Sequence, residues 1–275
     1  MATRMNNTNV DMDRDLVSQW NKTASMLADS RDVHLLAISL VNAEIKKDDL
    51  ILDVGCGKGG LFELLESMNF KNLIAAEFSP VLCQILRKRL KRTEIVNADG
   101  CFLPFSSEIF DVIFCTEVIE HLIAPDQSLQ ELVRVLKPEG IIVLTTDTLL
   151  TKTFKLLGLE TKQPINRTFS CNEMKRLLND VGLRVDAFIF YGPNALMYLP
   201  DRFIGLIIRF IKRFYPSLFG RLKSIYRNSL SKNEVVNDLM QIKSKIKKGD
   251  PFSSPSRFLW RTSVGFKLKK IRKFK

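Results

Sequence analysis

Three carboxylates follow apolar runs early in the chain: Asp53 in LDVGCGKGG, Glu77 in LIAAE and Asp99 in VNAD. The first sits inside a strand end and is followed by glycines at 55, 57, 59 and 60. Glycine lets a backbone take positive φ and lets a ligand approach where a Cβ would intrude, so this turn is built to touch a ligand. A dinucleotide turn has the same look but places its third glycine differently and cradles phosphate. An aspartate this close repels phosphate and suits an ammonium or sulfonium. Glu77 comes 22 residues after Gly55, where a carboxylate bonds ribose hydroxyls. Asp99 is placed to accept from an exocyclic adenine amine. A nucleoside carrying an amino acid through a positive sulfur meets all three conditions.

A second group lies further on, in FDVIFCTEVIEHL. Glu117, Glu120 and His121 stand at offsets 0, 3 and 4, and on a helix these share one face. Two carboxylates and an imidazole there can hold a divalent ion such as Mg that acidifies a bound hydroxyl. Alternatively His121 acts as a metal-free general base beside Glu120, or both residues only order the segment. Cys101 and Cys115 stand at strand ends, where cysteine packs as a small apolar residue.

Regular elements must hold these residues. Apolar segments at Leu50–Val54, Asn72–Ala76, Glu94–Asn97, Phe110–Cys115, Gly140–Thr145 and Leu183–Tyr191 read as strands. They alternate with helical patterns at about 59–68, 79–91 and 126–136, and a capping box, Ser170-x-x-Glu173, starts another helix. The order predicts an α/β fold: a doubly wound, Rossmann-like sheet of seven strands, mostly parallel, with helices on both faces. Residues 1–48 form an N-terminal lid in which Trp20, Met26 and Leu27 are candidate covers for an apolar acceptor. Residues 49–195 form the core. Residues 196–256 read as an insertion of two basic amphipathic helices, with FIGLIIRFIKRF (203–214) as the first and Val235, Leu239, Ile242 and Ile246 marking the second. Residues 257–275 hold a seventh, antiparallel edge strand near 258–268 and a cationic tail.

LDVGCGKGG, AAE, NADG, FDVIFCTEVIEHL and LKPEGIIVLTT, in that order over roughly residues 50–146, resemble the ordered motifs of class I S-adenosylmethionine-dependent methyltransferases. The resemblance implies S-adenosylmethionine as methyl donor. It places Asp53, Gly55 and Gly57 around the methionine part, Glu77 on the ribose, Asp99 near the adenine and the Cys115–Thr116 backbone near the methyl. Cys56, Phe78 and Gly100 complete the set. Glu-x-x-Glu-His resembles the metal-binding segment of ubiquinone-pathway O-methyltransferases and of enzymes that methylate the terminal ribose of small RNAs. The latter supply another histidine downstream, whereas the other histidine of this chain is His34.

Charge narrows the partners. Residues 201–275 carry 20 Lys or Arg against 4 Asp or Glu, +16, leaving 22 against 26, −4, for residues 1–200. Such a segment seeks a polyanionic surface. Its aliphatic helices favour an anionic membrane over RNA, which prefers exposed aromatics. No stretch reaches 18 uninterrupted apolar residues, the five cysteines show no paired spacing, and no leader pattern opens the chain. The expectation is a cytoplasmic enzyme, peripheral on the inner face of a membrane, that methylates an oxygen of a small-molecule, glycan or lipid acceptor. The alternatives are an RNA methyltransferase and a non-catalytic membrane-associated module.

Overall fold

The computed structural model describes residues 14–23, 31–148, 165, 167–194, 246–248, 252 and 261–271 of the 275. In chain order the elements are α1 (Arg14–Thr23), α2 (Arg31–Val41), β1 (Leu50–Val54), α3 (Gly60–Ser67), β2 (Asn72–Glu77), α4 (Pro80–Arg89), β3 (Thr93–Asn97) and β4 (Phe110–Thr116). A 3-10 turn at Ile119–His121 follows, then α5 (Pro125–Val135), β5 (Leu136–Asp147), α6 (Cys171–Asp180), β6 (Leu183–Asn194), β7 (Lys247–Lys248) and β8 (Arg261–Lys270).

The strands form one eight-stranded sheet in the order β3-β2-β1-β4-β5-β8-β6-β7. β1 pairs in parallel with β2 on one side and with β4 on the other. The winding direction therefore reverses between β1 and β4, and a crevice opens beyond the carboxyl ends of those strands, the place where such sheets bind ligands.

Alternation along each strand divides the core. Leu52, Val54, Ile113, Cys115, Ile142 and Leu144 face one way and pack with residues of α5 and α6, such as Leu129, Leu132, Met174 and Leu178. Ile51, Val112, Phe114, Ile141 and Val143 face the other way and pack with residues of α2, α3 and α4, such as Leu36, Leu61, Phe62 and Leu86. Both faces of the central strands are dry, which is why they read as continuous apolar runs. The capping box is formed as expected: Ser170 Oγ accepts the N–H of Glu173 at 3.1 Å, and the Glu173 carboxylate accepts the N–H of Ser170.

The last strand departs from expectation. β8 is antiparallel but no edge: it lies between β5 and β6 and pairs with both along its length. Val264, Phe266 and Leu268 are fully buried, so burial places it inside the sheet. Its buried Lys267 is held by the carboxylates of Glu44 and Asp186. The eighth strand, β7, is a two-residue addition outside β6. Phe258, Trp260, the run 203–214 and the positions 235, 239 and 242 lie outside the described residues, as do Met26, Leu27 and the side chain of Trp20. No described helix is long and apolar enough to cross a membrane.

Candidate active site

The crevice is built from strand tips. Gly55 and Gly57 turn the chain from β1 toward α3 with φ of 69° and 54°. A Cβ on Gly55 would lie 2.6 Å from Val118 Cγ2, whereas one on Gly57 would meet nothing within 4 Å. The first glycine packs the turn against the segment after β4, and the second leaves space for a ligand. Glu77 ties this turn to the next strand tip. Its Oε2 accepts the N–H of Gly57 at 2.9 Å, and its Oε1 accepts the N–H of Ser79 at 2.8 Å. Asn97 donates to the carbonyls of Glu77 and Phe78, which fixes the loop leading to Phe78 on the rim.

Asp53 is buried, and among the described residues no group bonds its Oδ1. Burial pushes its carboxyl well above the usual carboxylate range, and the neighbouring Glu77 adds to the effect. Glu77 is also raised by burial, against the lowering by the N–H groups it accepts. A buried carboxylate oxygen with no partner is costly, and a cation placed against it removes the cost. Asp99 Oδ1 accepts the N–H of Cys101 at 2.8 Å, folding the loop that follows β3. Gly100 is buried beside Val54 and Ser128. Phe102, which the sequence reading did not select, stands exposed in the same loop. Asp53, Gly55, Cys56, Gly57, Glu77, Phe78, Asp99, Gly100, Cys115 and Thr116 thus all lie at or just beyond the carboxyl ends of β1 to β4. The thiols of Cys56 and Cys115 are buried and pushed well up, and that of Cys101 is raised to about 12. These are packing groups, not nucleophiles.

The second group is arranged differently from the expected helical face. Glu117 ends β4 in a left-handed turn, φ 56°, because its N–H donates to Thr145 Oγ1 at 2.9 Å and the sheet pairing stops there. Only a single 3-10 turn follows, Ile119–His121, which carries Glu120 and His121 but leaves Glu117 outside, so the three share no α-helical face. The Glu117 carboxylate accepts from Thr145 Oγ1 at 3.0 Å and from the Tyr191 hydroxyl. Glu120 is buried and accepts from Thr146 Oγ1 at 3.1 Å. Burial, then Glu117, then Asp147 push its carboxyl well above the usual carboxylate range. Glu117, Glu120 and Asp147 bring carboxylate oxygens within 4.8 Å of one another. His121 stands outside that trio: its Nδ1 lies 2.8 Å from the carbonyl of Ile165. A carbonyl only accepts, so Nδ1 carries the proton and the basic lone pair is on Nε2. Asp147, Thr145 and Tyr191 escaped the sequence reading. The polar ending of IIVLTTD, after four apolar residues, was the available signal for the first two.

The sequence model of the methyltransferase domain family matches residues 52–144, the span that supplies the carboxyl ends of β1 to β4. The probable S-adenosylmethionine-dependent methyltransferase of Mycobacterium tuberculosis is 30% identical over 150 residues, 52% of this chain and 53% of that one. The mitochondrial ubiquinone biosynthesis O-methyltransferase of Schizosaccharomyces pombe is 32% identical over 105 residues, 35% of this chain and 37% of its own. This chain thus spans about half of the first and about a third of the second. The fold is also that of a phosphoethanolamine N-methyltransferase of Haemonchus contortus, at TM-score 0.55 and 16% identity, covering 94% of this chain and 60% of that chain. With its motifs in register on the strand tips that form the crevice, the chain carries a methyltransferase domain over residues 52–144 and is similar to the S-adenosylmethionine-dependent methyltransferases.

Proposed function

We propose that the protein moves the methyl group of S-adenosylmethionine to an oxygen of a small-molecule, glycan or lipid acceptor, acting in the cytoplasm at an anionic membrane surface. The observation that carries the donor half is Asp53: a buried carboxyl at a strand tip with one oxygen unpartnered among the described residues, beside a glycine whose open side meets none of them within 4 Å. That arrangement fits an amino-acid ammonium and a sulfonium and rejects phosphate. When bound, the sulfonium supplies an electrophilic methyl open to direct displacement.

The chain's own groups do the rest. Glu77 orients the ribose and Asp99 the base. The turn at Gly57 admits the amino-acid part, and the backbone of Cys115–Thr116 flanks the reacting carbon. Of the two candidates His121 is the proposed base, because with Nδ1 turned to the Ile165 carbonyl its basic nitrogen is Nε2, whereas Glu120 is buried and accepts from Thr146. The all-oxygen set of Glu117, Glu120 and Asp147 suits a hard cation such as Mg. Those three residues would hold it, with His121 apart, and it would lower the pKa of a hydroxyl. The relative that methylates a ubiquinone precursor on oxygen supports an oxygen acceptor. The +16 of residues 201–275 supports the anionic surface and also favours RNA as the second reading.

The test uses methyl-labelled S-adenosylmethionine with membrane lipid, glycan, soluble small-molecule and RNA fractions. Label in the lipid, glycan or small-molecule fraction that is stable to amine-specific cleavage and absent with Asp53→Ala supports the proposal. Label confined to RNA moves the function to the second reading. If wild type binds no S-adenosylhomocysteine, the donor assignment fails.

A further inference from the structure

Asn21 of α1 is joined to the crevice through a single buried residue. Ser79 is fully buried, and its hydroxyl is used twice: it accepts the N–H of Leu82 at 3.2 Å as the cap of α4 and gives its proton to Asn21 Oδ1. The backbone N–H of Ser79 donates to Glu77 Oε1, while the N–H of Gly57 holds Oε2. Hydrogen bonds therefore run from α1 through Asn21, Ser79 and Glu77 to the glycine turn. α1 itself packs on α4, with Val17 and Asn21 half-buried and Ser18 and Gln19 exposed.

We infer that Asn21 is a positioning residue for the methyl donor: by holding Ser79 it fixes the N–H that aims Glu77, so docking of α1 and binding of the nucleoside are coupled. The inference rests on the donor reading of the crevice. A carboxylate held at both oxygens by N–H groups presents its remaining lone pairs in fixed directions, as a vicinal diol requires. If one N–H swings with its cap residue, that direction is lost. Coupling between two binding events is reciprocal: the factor by which a docked α1 strengthens the nucleoside equals the factor by which the nucleoside strengthens docking.

The probe is S-adenosylhomocysteine, titrated calorimetrically into the full chain as wild type, Asn21→Ala, Ser79→Ala and the double variant. Amide hydrogen exchange of residues 14–23 is followed with and without it. The expected result is a loss of about 3- to 10-fold in affinity for Asn21→Ala, the range of one hydrogen bond. No further loss is expected from Asn21→Ala in the Ser79→Ala background. Ligand should slow exchange in α1 of wild type and leave Asn21→Ala unchanged. Equal affinity of wild type and Asn21→Ala overturns the inference, as does an Asn21→Ala loss that persists without the Ser79 hydroxyl, or exchange in α1 that ignores the ligand. Should Ser79→Ala not fold, the exchange comparison between wild type and Asn21→Ala decides. Failure of wild type to bind at all is a different outcome, because it removes the donor reading itself.

Discussion

Asp53 faces opposite demands with and without ligand. Empty, it is driven toward the neutral form by burial and by Glu77; against a bound ammonium it must ionise. Binding of S-adenosylhomocysteine, which keeps the ammonium, therefore expels a proton, and affinity rises with pH up to the elevated pKa of the free protein. Calorimetry in two buffers of different ionisation heat should show proton release, and Asp53→Asn should abolish it. For the ligand-free fold the sign is reversed. The carboxyls of Asp53, Glu77 and Glu120 are raised in the folded state, so the folded chain holds protons that the unfolded chain has lost. Their contribution to stability accordingly falls as pH climbs from the ordinary carboxylate range toward their folded values, and thermal melts of the free protein should decline on that limb.

At the scale of elements, the two glycines of the turn separate packing from binding. Gly55→Ala must fit a methyl 2.6 Å from Val118 at φ 69°, and should cost roughly 1–3 kcal/mol. Gly57→Ala also carries a positive φ, about 1–2 kcal/mol for an L-residue, but its methyl enters open space. It should melt no lower than Gly55→Ala while binding S-adenosylhomocysteine more weakly by at least tenfold. Melting curves with calorimetry check both.

The same contrast explains what the sequence made legible. β1 to β5 were readable as strands from their apolar segments, and their observed limits equal the expected ones or pass them by one residue, except for β5, which begins four residues earlier and ends two later. The carboxylates at 53, 77 and 99 were readable because local order alone puts them at strand tips. The turn at Glu117 was not, since it is set by a bond to Thr145 on the neighbouring strand. Nor was the partner of the Glu117 carboxylate, Tyr191, 74 residues away. β8 was recognisable as a strand but not as an interior one: nothing local reveals that Lys267 will meet Glu44, 223 positions earlier.

For the whole molecule, the uneven charge gives a body of −4 and a C-terminal segment of +16. Under the proposed membrane reading, an anionic bilayer would attract the cationic segment far more than the rest of the chain. Each Lys or Arg near such a surface contributes about 1 kcal/mol at physiological salt, and the attraction fades as the Debye length shrinks from about 10 Å at 0.1 M to about 3 Å at 1 M. Co-sedimentation should show the full chain on phosphatidylserine vesicles at low salt, released at high salt, and absent from purely zwitterionic vesicles. Binding to both vesicle types alike would contradict an electrostatic anchor.

The place of β8 also governs how the protein comes into being. A ribosome delivers β1 to β6 first, yet β5 and β6 cannot be joined into one sheet until residues 261–270 pair with both. During that interval two strands stand open-sided, and the nascent chain depends on whatever shields them. Completion of the sheet thus waits for residues 261–270, and a chain truncated before Arg261 would present a body with two unsealed strands.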